Sequence, residues 1–187
     1  AAANHVDRIV IDSPRPRFGI ITTGKSYLDV RQALDDLGID EQLAAQIGLR
    51  LYKVGMPWPL EEDGIRNFAR GLEEVLVVEE KRAIIENQLE AQLFNWDAPV
   101  RPRVVGKFDE VGNWLLPAAG ELSASQIARV IAGRIRPFHT SERIEQRLQL
   151  LARAEAPAPQ GPLSGERVPY FCSGCPHNTS TKVPEGS

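Results

Sequence analysis

Cysteine is scarce in this chain: two residues among 187, Cys172 and Cys175, set in a single C-x-x-C. Two thiols are too few for a disulfide scaffold, and nothing in their use indicates an oxidising compartment, so the cytoplasm is the default expectation. Long apolar runs are also missing. None approaches the roughly 20 residues a membrane-spanning helix requires, which gives no reason to expect a membrane partner. An excess of positive charge is absent as well: 22 Lys and Arg stand against 25 Asp and Glu, a net charge of −3. That balance argues against a general affinity for nucleic acid or anionic membrane. The opening AAANHVDRIVIDS has neither a basic n-region nor an apolar h-region, so no signal peptide is read. It also lacks an initiator Met, and the chain stops just past the cysteine motif, which suggests a piece of something larger.

What is present is ordinary for a globular protein. The sequence is 42% hydrophobic and 25% charged, with room for one substantial core and an extra segment. Short apolar runs alternate with helical patterns. RIVIDS (Arg8 to Ser13) is a short strand-like run ended by PRPR, and FGIITTG is β-branched and closed by Gly24. SYLDVRQALDDLG then has helical spacing and stops at Gly38. LRLYKVG reads as a strand, followed by the Pro-rich turn MPWPL and a short helix over EDGIRNFARG. EVLVVEE is the clearest strand, AIIENQLEAQLF an amphipathic helix, RVVGKFD another strand, and SASQIARVIAGRI a capped helix. Strand and helix alternating in this way predict a three-layer α/β/α fold with a mostly parallel sheet of about five strands. The uninterrupted VLVV is expected where helices cover both faces of a sheet. Beyond Pro137 a helix over Ser141 to Ala156, with Ile144, Leu148 and Leu151 on one face, leads into the linker PAPQGPLSGERVP and an extended tail. The expected divisions are therefore 1–137, an α/β domain; 138–168, helix and linker; and 169–187, the start of a further unit.

Three stretches carry candidate chemistry. GIITTGKS (Gly19 to Ser26) spells the phosphate-loop pattern G-x-x-x-x-G-K-[ST], and Glu79 at the end of VLVVEE offers the acidic residue a nucleotide site requires. Yet a phosphate loop follows a strand, and the residues before Gly19 are SPRPRF, whose prolines cannot form one. Ile20 to Thr23 are themselves strand material, so the competing reading is a strand, a Gly turn and a helix capped by Ser26. Glu79 and Glu80 fall at the carboxyl end of a buried strand, where open α/β sheets place ligands. They are also placed to cap the sheet edge and pair with Lys81 and Arg82. Trp58 reads either as an interface anchor or as core or loop packing. In FCSGCPHNTS, Cys172 and Cys175 suit half of a metal site, a redox dithiol or an inert pair. A zinc site would need further ligands, of which His177 is near and His139 and His5 are the remaining histidines. Asn178-Thr179-Ser180 matches a glycosylation sequon by chance, since no secretory signal accompanies it.

Taken together, GIITTGKSYLDVRQAL, LYKVGMPWPL, VLVVEEKRAIIENQL and PYFCSGCPHNTSTKVPEGS, in that order and spacing, resemble the 2-oxoacid:ferredoxin oxidoreductase family, in particular its bacterial indolepyruvate type. The likeness runs through nearly the whole chain. It implies a transketolase C-terminal-like domain between two thiamine-binding domains of a parent enzyme. That enzyme would oxidatively decarboxylate arylpyruvates with thiamine diphosphate, Mg²⁺ and coenzyme A, passing electrons through iron–sulfur clusters to ferredoxin. By similarity to the family's C-x-G-C motif, Cys172 and Cys175 would be two thiolate ligands of a [4Fe–4S] cluster. Gly174 would permit close approach and Pro176 would stiffen the exit. The implied partners are other domains or subunits of a parent homodimer. Residues 1–137 would be structural and subunit-contacting, and 169–187 would open the thiamine-diphosphate/iron–sulfur domain. No catalytic residue is implied in this chain. A phosphate-loop nucleotide module and a small zinc-binding C-x-x-C adaptor stand as the alternatives.

Overall fold

The computed structural model describes residues 4–155, 171–183 and 186; the expected linker, PAPQGPLSGERVP, lies outside them. The chain divides into two compact units, Ala1–Ala154 and Glu155–Ser187.

The first unit contains β1 (Arg8–Ile11), β2 (Phe18–Thr23), α1 (Gly24–Leu37), α2 (Glu41–Ile47), β3 (Leu49–Val54), α3 (Glu62–Ala69), β4 (Glu74–Val78), α4 (Ile84–Leu93), β5 (Arg103–Val105), α5 (Ala124–Ile135) and α6 (Glu142–Ala154). The sheet order is β1-β3-β2-β4-β5. β3, β2, β4 and β5 are parallel, while β1 runs antiparallel on the β3 edge with a bulge between Ile9 and Ile11.

Alternation along the strands explains the layering. Ile20, Leu76 and Val78 pack into one core with residues of α1, α2, α5 and α6. Ile21, Val75 and Val77 face the other way, into a second core with α3 and α4. Both faces of the central strands are thus dry, which is why their sequences are uninterrupted apolar runs rather than alternating ones. The mixed α/β class, the mostly parallel sheet and the five strands follow the sequence expectation.

Local signals set the helix ends. α1 stops at Gly38, whose left-handed φ of 71° lets its N–H and that of Ile39 turn back to Asp35 and Leu34. α5 begins with a reciprocal capping box between Ser123 and Gln126. The start of α1 differs from expectation: the helix begins at Gly24, so Ser26 is buried inside the first turn and caps nothing. α6 lays Ile144, Leu148 and Leu151 against the first core, as its periodicity predicts. Its Arg143 side chain lies over Gly38, where a Cβ would come within 2.8 Å of Nε.

Gly19 is the second residue of β2, where a Cβ would lie 2.5 Å from Leu72 Cδ1 and 2.8 Å from the Phe68 ring. Strand propensity alone favours valine there, but the α3 side of the sheet leaves no room. Gly19→Val should therefore lower unfolding free energy by about 1–3 kcal/mol, the usual scale of overpacking. Urea denaturation checks this, and a neutral or stabilising result would contradict the packing of α3 on β2.

Candidate functional site

The parallel strands bring their carboxyl ends to one edge. Beyond β2 the chain returns as β3 on one side, and beyond β4 it returns as β5 on the other, so the edge between β2 and β4 is a topological switch point. The lysine of the phosphate-loop spelling stands there. Its Nζ lies 2.9 Å from Asp29, 3.1 Å from Glu121 and 3.7 Å from Glu80, and donates to the Leu122 carbonyl at 3.4 Å. Hydrogen bonds to Asp29 and Glu121 hold its pKa above the ordinary lysine value. Gly19 to Thr23 form β2 itself, hydrogen-bonded on both sides. No loop exists here to wrap a phosphate, and the cation is already matched by carboxylates.

Next to it is a buried ionic group. Glu79, at the end of β4, is 4% exposed, and its carboxylate accepts the N–H groups of Ile84, Ile85 and Glu86 at 2.9–3.1 Å. α4 has no cap of its own, so Glu79 serves as one from outside the helix and sets its charge against the positive end of the helix dipole. The connection passes through Lys81 in the left-handed region, at φ 58°. Glu86 is 8% exposed and accepts the Lys107 backbone N–H at 3.1 Å and 3.3 Å. This approach needs Gly106, where a Cβ would fall 2.5 Å from the Glu86 carboxyl carbon. Lys107 is 4% exposed, and its ammonium donates to the Glu79 carbonyl and, at 3.5 Å, to that of Pro117. Burial pushes the Glu86 carboxyl up and the Lys107 ammonium down from their ordinary pKa values.

Glu86 and Lys107 line a cleft of about 980 Å³, which is also bordered by Ile84 and the aromatic side chains of Trp58, Phe108 and Trp114. Gln88 and Gln92 fix the Trp58 loop by bonding to Pro57 and Leu60, and Asp7 holds its beginning through Gly55 and Met56. Phe108 and Trp114 face each other across a β-bridge, ring centroids 4.3 Å apart. Trp58 is 71% and Trp114 64% exposed, so the loop-packing reading of Trp58 gives way to a surface one. Lys81 and Arg82 line this cleft, while the Glu79 carboxylate is taken up by the α4 amides and Glu80 faces the phosphate-loop lysine.

Sequence reasoning placed Glu79 and Glu80 at the edge but missed Glu86 and Lys107. A signal existed for the first: Glu86 falls on the helical face of Leu89 and Leu93, a carboxylate at apolar spacing. Lys107, directly after a short apolar strand, had none.

In the second unit Cys172 and Cys175 are free and share one turn, with the Cys175 N–H donating to the Cys172 carbonyl at 3.0 Å. Gly174 turns at φ 79° with open space where a Cβ would be. The four-residue helix α7 (His177–Ser180) follows, and Asn178 Nδ2 donates to the Cys172 carbonyl at 3.0 Å. Cys175 Sγ lies 3.2 Å from His177 Nδ1. Among the described residues no three His, Cys, Asp or Glu side chains converge on a point that could hold a metal ion. Among those residues, too, no helix is long and apolar enough to cross a membrane.

A raised carboxyl pKa has a definite consequence. Glu86 favours folding below its unfolded pKa, and that contribution is lost as pH rises through the folded value. Glu86→Gln keeps an acceptor for Lys107 N–H without a charge to bury. The variant should match the parent protein in acid and exceed it in stability from neutral pH upward. Denaturation midpoints across pH test this; a gap that widens on acidification would refute it.

Residues 7–159 match the family described as indolepyruvate ferredoxin oxidoreductase middle domain. The chain is 28% identical over 167 residues to indolepyruvate oxidoreductase subunit IorA of Thermococcus kodakarensis, covering 88% of this chain and 22% of that one. It is 29% identical over 177 residues to the IorA subunit of Methanothermobacter marburgensis, covering 95% and 24%. The chain thus spans about a fifth to a quarter of the length of these curated relatives. Among solved structures it is similar to a 2-oxoglutarate:ferredoxin oxidoreductase from Magnetococcus marinus, with a TM-score of 0.47, 17% identity and coverage of 69% of this chain and 19% of that one.

Proposed function

Because the chain belongs to the indolepyruvate ferredoxin oxidoreductase middle-domain family, we propose that it forms the middle section of an enzyme that oxidatively decarboxylates arylpyruvates to acyl-CoA and passes the electrons to ferredoxin. The family match over residues 7–159 carries this reading. Thiamine diphosphate and Mg²⁺ would supply the carbanion chemistry from other domains, and a [4Fe–4S] cluster the electron path. The setting proposed is a cytoplasmic homodimer of the parent enzyme. The division at 1–137, 138–168 and 169–187 belongs to this reading, with the last segment opening the thiamine-diphosphate/iron–sulfur domain.

Within that enzyme the first unit has a structural and contact role. The support is physical: its buried Glu79, Glu86 and Lys107 hydrogen-bond to backbone groups, while two tryptophans stand exposed on the cleft rim. Exposed aromatics around a cleft mark a surface that meets other protein, here the adjoining domains or subunits of the same oxidoreductase. Cys172 and Cys175 supply the second function. The donor set fits: two soft sulfur ligands in one turn, free and partly open to solvent, suit an iron–sulfur cluster that draws its remaining thiolates from elsewhere.

This chain by itself should show no thiamine-dependent decarboxylation of indolepyruvate, followed as CO₂ release or dye reduction; turnover would overturn the division of roles. In the complete oxidoreductase, Cys172→Ser and Cys175→Ser should each lower bound iron by the content of one cluster and remove its paramagnetic signal. Full iron in both variants would overturn the ligand assignment.

A further inference from the structure

We propose that His177 donates a hydrogen bond to the Cys175 sulfur and thereby raises the reduction potential of the cluster those cysteines hold. The inference rests on the cluster reading above and assigns a tuning residue to it.

The geometry is specific. His177 Nδ1 is 3.2 Å from Cys175 Sγ, within reach of an N–H···S bond. The imidazole stacks on the Phe171 ring, centroids 5.1 Å apart and planes 29° from parallel. Its backbone is fixed at the start of α7: the His177 carbonyl accepts from the Thr181 N–H at 3.1 Å and the Thr181 hydroxyl at 2.5 Å. The Asn178 amide ties the same turn back to Cys172. Phe171, Cys172, Cys175, His177 and Asn178 therefore form one local assembly, with the imidazole stacked on Phe171 and its Nδ1 at the sulfur.

Chemistry decides the direction of the bond. A cysteine bound to iron is a thiolate without hydrogen. The short contact is then favourable only if Nδ1 carries the proton and donates. Pro176 has no N–H to offer, so the residue immediately after Cys175 cannot bond the sulfur through its backbone, and the next side chain does. The proposal makes His177 a donor rather than a ligand because its Nδ1 faces the Cys175 sulfur itself, at 3.2 Å. A donor aimed at a ligating sulfur draws negative charge away from the cluster. That favours the reduced state, which carries one more electron, and so raises the potential.

The test uses the complete oxidoreductase with His177→Ala and His177→Asn, assayed for iron and titrated potentiometrically with the cluster signal as readout. With the donor removed, His177→Ala should keep its iron and show a midpoint moved to more negative potential. His177→Asn, which retains an N–H near the Nδ1 position, should return toward the parent value. An unmoved midpoint in an iron-replete His177→Ala enzyme overturns the proposal. Loss of iron from that variant overturns it too, because a donor is dispensable for holding the cluster. If instead Cys172→Ser and Cys175→Ser keep the cluster, the ligand reading itself fails, and the donor role falls with it.

Discussion

The carboxylate of Glu79 organises the functional edge of the first unit. Three N–H groups at the start of α4 end on it, and its own backbone carbonyl receives the Lys107 ammonium. One residue therefore links the end of β4, the start of α4 and the segment after β5. Leaving a helix terminus buried without partners costs several kcal/mol, so the position tolerates few alternatives. The cleft, its floor and the placing of its rim all follow from this junction. The neighbouring Glu80 belongs to a different circuit, pairing across the switch point with Lys25.

This arrangement explains why an α/β sheet with its edge in the usual ligand position is built without a phosphate-binding device. The helix terminus nearest the cleft has already taken a protein carboxylate. The lysine nearest the switch point has taken others. What remains open is an aromatic rim beside Lys81 and Arg82, and exposed tryptophans of that kind are suited to contact with other protein. On the proposed reading the electron-transfer chemistry belongs instead to the short cysteine turn, where the described contacts around the sulfurs are local in sequence.

Much of the fold was legible because its strands are buried on both faces. VLVV and GIITT read as interior strands, and the helix after each was set by spacing, with Gly38 closing the one after GIITT. The prolines ahead of Gly19 were enough to deny the phosphate-loop spelling, and the structure shows β2 in its place. α2 escaped notice because seven residues barely exceed the noise of periodicity; its ends rest on Asp40 and Gly48 instead. The start of α1 was misjudged because Gly24 at φ 55° enters the helix directly from β2, leaving Ser26 nothing to cap. At the site, Glu79 was legible by position and its role was not, since a cap supplied from a strand leaves no local pattern. Lys107 and Glu86 were invisible as a pair because they meet only after the sheet forms. The resemblance to known oxidoreductases rested on whole segments and stood independently of these local errors.

The margins of the sheet have a consequence of their own. β5 is three residues long, and β1 is four residues with a bulge and an exposed Arg8. Neither edge offers a neighbouring chain a flat row of unpaired amides to extend, which is how proteins suppress fibrous growth and strand exchange. Such edges disfavour association by backbone pairing, which is indifferent to sequence, and leave the proposed contact at the tryptophan rim to side-chain recognition, which is selective. A short, broken border is in that sense a form of quality control for a domain whose proposed role is contact with other protein.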